Sequence, residues 1–544
     1  MRLFEIKNRD GLALAGHLTL DGVQTAFPVA LDMNEKFPDL MHYHHDNLSL
    51  FQEKMQENWS DLQINPGMLH PGGKPVTRHG DILLVPNWHT AFINPRNYIE
   101  WLVSIRLKSP PDTLWYAPAC ALPSNVHLLV YSGFSIFDWT SVDLKSAQGI
   151  FCLQGCELPK VVEREGFCSC EGCRSGSLLL HNRLALLSEL NTVRYYIYKQ
   201  QLREYVESRS RLSAFQVTVM RLLDQCPVFL EPFIPVTRSV QMLATTEDSL
   251  QRVEVKRFMH RVLSRYIPPR NDVAILIPCS ARKPYSTSKS HRRLKHIIRG
   301  RGHELIITSP LGIVPRELER IYPAAHYDVP VTGYWSQEEK KIIGAQIHEY
   351  FKNNQYRRVI AYLEGGALET VTAAFSALEV DCEIITRDDP KKDSMSGELD
   401  DALYGEKRKR SDIVRGTCLY QFDTSINTEN FILKGYSPEE RVFRNKMQLF
   451  SFDAHTGYLR PTFQGWDLIK DKYNVCIDPF IPQGDILAPG VVGADPQIRE
   501  GDEVIVRGKQ AIATGRALMS GDCMVESTQG VAVKVRKVMR IEPQ

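Results

Sequence analysis

Hydrophobic and polar positions alternate most regularly between residues 271 and 390. Short runs rich in β-branched and aliphatic residues are followed there by longer stretches with helical periodicity. The short runs are Asp272–Ile277, Glu304–Thr308, Arg357–Leu363 and Asp381–Thr386, and the longest helical stretches are Ser336–Lys352 and Gly366–Leu378. This alternation predicts a three-layer α/β domain in which helices cover a parallel sheet.

Each of the first three predicted strands leads into a segment of small or polar residues. These segments are residues 278–280 (Pro-Cys-Ser), 309–312 (Ser-Pro-Leu-Gly) and 364–366 (Glu-Gly-Gly). Ligands of parallel sheets bind beyond the carboxyl ends of the strands. We therefore expect the functional site at this edge of the sheet.

The C-terminal part of the chain has a different pattern, with short strands separated by Gly-Asp turns. This pattern is typical of a small β-barrel. The last predicted strand carries Lys534, Arg536 and Arg540 at even spacing, so we expect these three side chains on one face.

Three breaks in the pattern divide the chain. A proline pair at positions 268–269 ends a charged helix, a charged run occupies 391–412, and a third break lies near 470. The predicted fold is multidomain α/β and α+β. Its domains are residues 1–265, the α/β domain 266–395, a linker with a small α/β connector 396–470, and a β-barrel 471–544.

Composition narrows the class of protein. The 544 residues include 43% hydrophobic and 24% charged residues, which excludes wholesale disorder and fibrous structure. No run approaches roughly 18 apolar residues, and the N-terminus is charged, so we expect a soluble cytoplasmic protein without a membrane segment. The net charge of +2 neither indicates nor excludes nucleic-acid binding, so that question depends on local patches of basic residues.

Three of the twelve cysteines crowd together, and a histidine follows them: Cys168, Cys170, Cys173 and His181. Three thiolates and one imidazole are a ligand set that Zn²⁺ binds tetrahedrally, and a closed set of four indicates a structural site. The alternative is that these are reduced surface cysteines. The adjacent histidines at positions 42–45 have no ligand spacing, and we interpret them as surface residues.

The segment from Pro278 to His291 carries the second candidate chemistry. Cys279 follows a buried strand directly, and a nearby Lys283 would make its thiol a usable nucleophile. Tyr285, Ser288 and His291 could supply proton transfer and hydrogen bonds. The alternative is a loop that grips phosphate or RNA and holds an inert cysteine.

Charged residues near these strand ends suggest what the site binds. Glu364 could anchor a substrate ammonium group, or it could be a carboxylate favoured by a helix N-terminus. A basic stretch directly follows the cysteine segment, and with the basic last strand it indicates contacts to an RNA backbone, although such runs are usually solvated faces. The candidate RNA-binding residues are Arg292, Arg293, Arg299, Lys534, Arg536 and Arg540.

Residues 1–265 resemble a tRNA-guanine transglycosylase domain, a shortened TIM barrel with a zinc site. The first hairpin, the Phe137-Asp138 motif and the cysteine cluster carry this resemblance. It implies that Asp138 is the nucleophile or contacts the substrate. The family's Asp-Ser-Gly-Gly motif is absent, and the comparable region reads Val85-Pro-Asn-Trp-His-Thr-Ala-Phe92. The C-terminal Gly-Asp turns resemble those of a PUA domain, an RNA-binding module.

The motif PC-x3-KPY-x2-S-x2-H, present from Pro278 to His291, is similar to that of the archaeosine synthase family (alpha subunit). The resemblance implies an archaeal enzyme that converts the nitrile of 7-cyano-7-deazaguanine, at D-loop position fifteen of tRNA, towards the formamidine of archaeosine. It implies free lysine as the amine donor and a radical-SAM partner protein, and the resemblance to transglycosylases implies a homodimer. No nucleotide cofactor is evident. The alternatives are a transglycosylase that inserts the base and a non-catalytic tRNA-binding subunit.

Overall fold

The protein is described here by a computed structural model that covers residues 3–41, 76–78, 82–86, 94–159, 168–330, 332–385 and 394–541. The chain divides into two compact units. The first comprises Met1–Ile234, Leu487–Gly490 and Asp522–Ala532, and the second comprises Pro235–Ile486, Val491–Gly521 and Val533–Gln544. The histidines at 42–45 and residues 87–92 lie outside the described residues.

Two sheets and a hairpin make up the strands of the first unit. Three strands form an antiparallel sheet, and five others form a sheet in the order β4-β8-β7-β6-β5, parallel except for β5. The strands are β1 (Phe4–Asp10), β2 (Ala13–Leu20), β3 (Val23–Phe27), β4 (Val29–Leu31), β5 (Val76–Arg78), β6 (Ile82–Leu84), β7 (Leu114–Tyr116), β8 (Phe134–Asp138), β9 (Phe151–Cys152) and β10 (Glu157–Leu158). Within the described ranges this second sheet is mostly parallel, and β4 and β5 are its edge strands.

The longest described helix of the first unit is α7, which begins after Ser177. The Ser177 side chain accepts a hydrogen bond from the amide of Leu180, which satisfies a free donor of the first turn. Its buried leucines and valine recur every three or four residues, as expected of a helix with one apolar face. The described helices are α1 (Met33–Lys36), α2 (Pro38–Met41), α3 (Pro95–Arg106), α4 (Val126–Tyr131), α5 (Thr140–Ala147), α6 (Glu171–Arg174), α7 (Leu178–Tyr198), α8 (Leu202–Ser210), α9 (Ala214–Asp224) and α10 (Pro227–Leu230).

The second unit is built around a five-stranded sheet. Its strands are β12 (Val273–Pro278), β13 (His303–Thr308), β14 (Gly312–Pro315), β16 (Arg358–Ala361) and β17 (Cys382–Ile384), in the order β14-β13-β12-β16-β17. All are parallel except the edge strand β14. Two further strands, β11 (Met242–Leu243) and β15 (Tyr327–Asp328), pair in parallel with each other. The central strand β12 is buried along five consecutive residues.

Helices connect these strands. They are α11 (Val253–Ser264), α12 (Lys289–Ile298), α13 (Gln337–Asn353), α14 (Gly365–Leu378) and α15 (Ser394–Ala402). We predicted that the first domain ends at residue 265, yet the apolar side chains of α11 belong to the core of this second sheet. The N-terminal segment of the first unit therefore ends at Ile234, and α11 belongs to the second unit.

The order in which successive strands are added to the sheet reverses at β12. The chain passes from β12 to β13 on one side, and it later returns to β16 on the other side. Because crossovers between parallel strands are right-handed, the connections that run in opposite directions place their helices on opposite faces. Such a reversal opens a crevice at the carboxyl ends of the two strands concerned, here β12 and β16.

The edge strand β14 depends on a glycine. Gly312 has a φ of +69°, and a Cβ built there would lie 1.6 Å from Oε1 of Gln346. That oxygen accepts the amide hydrogen bond of Ile313 at 2.9 Å. A side chain at position 312 would therefore displace the bond that attaches β14 to α13.

The connector is a four-stranded antiparallel sheet in the order β18-β19-β20-β21. Its elements are α16 (Ile413–Phe422), β18 (Ile432–Lys434), β19 (Arg441–Arg444), β20 (Met447–Phe452), β21 (Leu459–Pro461) and α17 (Phe463–Ile469). Six strands follow in the order β23-β27-β26-β25-β22-β24. They are β22 (Asn474–Ile477), β23 (Ile486–Leu487), β24 (Val491–Ala494), β25 (Glu503–Arg507), β26 (Ala511–Ala517) and β27 (Val531–Arg540), and α18 (Gly521–Glu526) precedes β27.

The basic residues of β27 do not share one face, contrary to our prediction. Lys534 lies opposite Arg516 and Arg540 lies opposite Ala511, and the pairing register shifts by one residue between them. Arg516 and Ala511 are an odd number of positions apart on β26, so they point to opposite faces. The β-bulge at Arg536 thus puts Lys534 and Arg540 on opposite faces.

Candidate active site at the carboxyl end of the central sheet

The residues that we predicted as catalytic lie in one segment between β12 and α12. Cys279 follows β12 directly and is half-buried, and no described residue forms a hydrogen bond with its thiol. Ser288 caps α12, because its hydroxyl oxygen accepts a hydrogen bond from the amide of His291 at 3.2 Å. This cap gives Ser288 a structural role at the edge of the site.

His291 is buried, and both of its ring nitrogens are engaged. Nε2 lies 2.9 Å from the carbonyl oxygen of Pro278, and Nδ1 lies 2.9 Å from Nη2 of Arg316. A carbonyl can only accept, so the proton belongs on Nε2, while Nδ1 accepts from the guanidinium. Burial, and then the charge of Arg316, lowers the pKa of His291 to about 4. The neutral ring holds the end of β12 in place.

Arg316 links this histidine to the rest of the segment. Its guanidinium donates to the carboxylate of Glu304, with Nε 2.8 Å from Oε2, and to Oε2 of Glu319 at 2.7 Å. The same Glu319 oxygen accepts from the amide of Ser286 at 2.9 Å. The network therefore fixes the segment at Pro278, Ser286 and His291.

A chain of hydroxyl groups runs beneath Lys283. The Tyr285 hydroxyl lies 2.9 Å from that of Tyr327, which lies 2.6 Å from Oγ1 of Thr308. The Lys283 ammonium lies 4.0 Å from the centre of the Tyr327 ring, a cation–π contact. Burial lowers the pKa of Lys283, and attraction to Cys279 and Asp328 partly opposes this. The thiol and the amine thus share one electrostatic environment.

Sequence reasoning missed Tyr327, Asp328 and Arg316. The first two make up β15, a strand of two residues that lies outside the main sheet. Arg316 reaches the site through the antiparallel edge strand, which we did not predict. The cluster of aromatic residues between 322 and 335 was the one available signal.

The third strand end carries Glu364, which is exposed and precedes α14. Its side chain makes no capping hydrogen bond to that helix. The strands β13, β12 and β16 are adjacent, so Ser309, Cys279 and Glu364 lie at one edge of the sheet. The structure thus brings the three predicted strand ends together.

The basic candidates differ in their surroundings. Arg292, Arg293, Lys534 and Arg540 are exposed, and Arg299 ends α12 in a left-handed conformation. Arg536 donates to the buried carboxylate of Glu503 at 2.5 Å, so part of its charge is already compensated.

The predicted metal ligands of the first unit lie together. One donor atom from each of Cys168, Cys170, Cys173 and His181 lies within 4.8 Å of the others. Nε2 of His181 lies 2.9 Å from the carbonyl oxygen of Cys152, which leaves Nδ1 facing two of the sulfurs at 3.3 Å. A ligand histidine is commonly oriented in this way by a carbonyl group. The four residues could therefore hold a metal ion.

Asp138 ends β8 and is buried, with 6% of its surface exposed. Its Oδ2 accepts from the hydroxyl of Tyr116 at 2.8 Å and from the amide of Ala119 at 2.9 Å, and Oδ1 accepts from the amide of Thr140 at 2.9 Å. Burial raises its pKa, and these hydrogen bonds oppose the shift. Both oxygens of the Asp138 carboxylate thus accept hydrogen bonds from residues of the same unit.

Comparison with known proteins identifies the family. The archaeosine synthase subunit alpha of Methanosarcina acetivorans is 36% identical over 505 residues, which cover 85% of this chain and 80% of that protein. The archaeosine synthase of Haloferax volcanii is 35% identical and covers 81% and 80%, respectively. This chain belongs to the archaeosine synthase family. The resemblance inferred from the motif is confirmed, and the chain is an enzyme of tRNA modification.

Other matches assign parts of the chain. A family described only as a domain of unknown function (DUF5591) matches residues 255–403, which contain the cysteine segment, and the PUA domain family matches residues 478–539. A tRNA-guanine(15) transglycosylase of Methanobrevibacter smithii is 26% identical and covers 69% of this chain and 59% of that protein. None of the helices that the structure describes is long and apolar enough to cross a membrane.

Proposed function

We propose that this enzyme adds an amine to the nitrile of 7-cyano-7-deazaguanine in tRNA, which takes the base towards the formamidine of archaeosine. The observation that carries this proposal is the half-buried Cys279 thiol, placed beside Lys283 at the crevice between β12 and β16. The names of the relatives support the pathway. The name of the similar tRNA-guanine(15) transglycosylase supports position fifteen of tRNA as the place of the modified base.

The reaction proceeds in two additions at the nitrile carbon. The Cys279 sulfur forms a bond to this carbon while the thiol proton passes to the Lys283 amine, and Lys283 delivers a proton to the nitrile nitrogen, which gives a thioimidate. The amine then forms a C–N bond, the C–S bond breaks, and the proton that the amine loses returns to the sulfur. The net product is the amidine, with all atoms of nitrile and amine retained. Direct addition of the amine, with Cys279 only packing, is the alternative.

The surrounding residues divide the remaining work. The Lys283 ammonium, whose pKa burial lowers, is the proton donor to the nitrile nitrogen. Tyr285, Ser288 and His291 hold the segment in position, because each has its polar atoms engaged within the protein. Free lysine is the amine donor in this proposal, and the exposed carboxylate of Glu364 binds its α-ammonium group.

The target base must leave the tRNA interior to reach the thiol, at a cost of a few kcal/mol. The PUA domain and the basic residues Arg292, Arg293, Arg299, Lys534, Arg536 and Arg540 contact the tRNA backbone and offset that cost. Binding then weakens as salt rises, with a slope set by the number of phosphates neutralised.

The first unit has a supporting role in this proposal. Cys168, Cys170, Cys173 and His181 hold a structural Zn²⁺, which fits a set of three thiolates and one imidazole. Asp138 is not a nucleophile, because its carboxylate oxygens are committed to Tyr116, Ala119 and Thr140. A radical-SAM partner and a homodimer stay predictions from the family resemblance.

The test is mass spectrometry of nucleosides from tRNA that carries the nitrile base, after incubation with protein and lysine. The wild type should yield a base heavier by one lysine, and Cys279→Ala should not. Cys382→Ala is the matched control, since Cys382 is also half-buried but lies in the edge strand β17. Product from Cys279→Ala at the wild-type rate would exclude the covalent route, and guanine at this position would instead favour the transglycosylase.

A further inference from the structure

Residues 332–336 border the candidate site along its open edge. On one side, Ser336 begins α13 in a capping box with Glu339, whose Oε1 accepts from the Ser309 hydroxyl, just after β13. On the other side, the carbonyl of Gly333 accepts at 3.3 Å from the amide of Gly366, in the first turn of the helix α14 that follows β16. In the sheet, β12 lies between β13 and β16. Residues 332–336 therefore lie next to the carboxyl end of β12, which Cys279 directly follows.

The backbone of this segment is fixed while one of its aromatic rings is open to solvent. Oγ1 of Thr332 accepts from the amide of Tyr334 at 3.3 Å and donates to its carbonyl at 3.2 Å. Trp335 is half-buried and packs on Gly366, where an added Cβ would come within 2.8 Å of the tryptophan. Between these anchors the Tyr334 side chain is 73% exposed.

A single exposed aromatic ring is ordinary on a protein surface, so its position carries the argument. Tyr334 is held on a preformed backbone beside a nucleophile that must meet a flat heteroaromatic base. Extruded bases are commonly read by stacking on aromatic side chains. Proteins also use such rings as stacking platforms for unpaired bases.

We propose that Tyr334 stacks on the 7-cyano-7-deazaguanine base once it leaves the tRNA interior. The ring supports one face of the base while its nitrile points towards Cys279. This inference rests on the proposed function and adds a binding residue for the base itself.

The chain offers a matched control in Tyr404, which is 89% exposed. The residues just before it bond to Arg358 at the start of β16 and to Arg301 just before β13. Tyr404 therefore lies at the amino ends of the same strands, away from Cys279. Replacing it removes a comparably exposed ring from the opposite end of the same sheet's strands.

The test uses the full chain with the variants Tyr334→Ala, Tyr334→Phe and Tyr404→Ala. The probe is tRNA with 2-aminopurine at D-loop position fifteen, whose fluorescence is quenched by stacking. Tyr334→Ala should lose the quenching and bind nitrile-containing tRNA about 5- to 100-fold more weakly, as expected for one lost stacking contact. Tyr334→Phe and Tyr404→Ala should stay within about twofold of the wild type.

Wild-type quenching and affinity in Tyr334→Ala would overturn the inference, and so would an equal loss in Tyr404→Ala. The fluorescence readout needs no chemistry, so it separates the two proposals. If the wild type makes the amidine but Tyr334→Ala quenches normally, only this inference fails. If the wild type makes no amidine, the proposed reaction fails and the quenching still decides the stacking.

Discussion

Asp138 and Cys279 occupy equivalent places in their two units. Each directly follows or ends a buried parallel strand, β8 for Asp138 and β12 for Cys279. Asp138 is buried and receives three hydrogen bonds, whereas the Cys279 thiol is half-buried and receives none from the described residues. The two strand ends therefore present their reactive groups in different surroundings. We expect these surroundings to decide whether each group is available for chemistry.

The two sites also use their neighbours differently. The Tyr116 hydroxyl donates a hydrogen bond directly to the carboxylate of Asp138. The corresponding tyrosines of the second unit, Tyr285 and Tyr327, bond to each other and support Lys283 instead of occupying the thiol. Four predictions on the two units follow in order of expected effect, and those on Lys283 and Asp138 test this contrast directly.

The largest effect should come from Cys170→Ser in the first unit. Losing one of four ligands should release the metal and lower the free energy of unfolding by more than about 3 kcal/mol, because structural zinc contributes on the order of ten kcal/mol. Metal analysis and thermal unfolding measure this. Cys156→Ser is the control, since this exposed cysteine is not in the cluster. Full metal content in Cys170→Ser would contradict the assignment.

Lys283→Met should remove the proton donor but keep the aliphatic packing over Tyr327. We expect kcat to fall about 100-fold or more, the lower range for general acid catalysis, with the KM for tRNA little changed. Single-turnover assays with nitrile-containing tRNA measure this. A fall confined to KM would show that Lys283 binds substrate and does not transfer the proton.

Acid should destabilise the second unit through His291. Its pKa is about 4 in the folded chain against about 6.5 when unfolded. The unfolded chain binds the proton first, so this stability is present above pH 6.5 and is lost as pH falls towards 4, by about 3 kcal/mol. Stability measured against pH should show a shallower acid slope in His291→Gln. An unchanged slope would refute the neutral, buried ring.

The smallest effect on turnover should come from Asp138→Asn. The amide cannot accept all three hydrogen bonds, so the free energy of unfolding should fall by about 1–3 kcal/mol. Turnover per folded molecule should stay within about threefold of the wild type, as measured with active-site titration of Cys279. A loss comparable to that of Lys283→Met would give Asp138 a part in the reaction and remove the contrast drawn above.

The central sheet could be predicted closely because burial leaves a continuous apolar run. The expected strand Asp272–Ile277 is observed one residue later, as Val273–Pro278. The cysteine segment was predictable for the same reason, since it follows such a run. The packing of α11 was not, because an amphipathic pattern indicates an apolar face but not the sheet that will cover it.

The residues that contact the cysteine segment could not be predicted from the sequence. Arg316 and Tyr327 reach the cysteine segment through folding, from positions with no motif of their own. The role of His291 depended on which atoms face its two nitrogens. The face of Arg540 depended on one extra residue in a strand, and a bulge has no fixed sequence pattern.

Gly312 has a consequence for how this protein tolerates mutation. Any side chain there is strained by the positive φ and collides with the Gln346 oxygen that ties Ile313 to α13, which disturbs the edge strand leading to Arg316, the partner of His291. In a library of random variants selected for tRNA modification, position 312 should therefore be as intolerant as position 279. Selection data alone would class both residues together, although one would be required for its sulfur and the other for having no side chain at all.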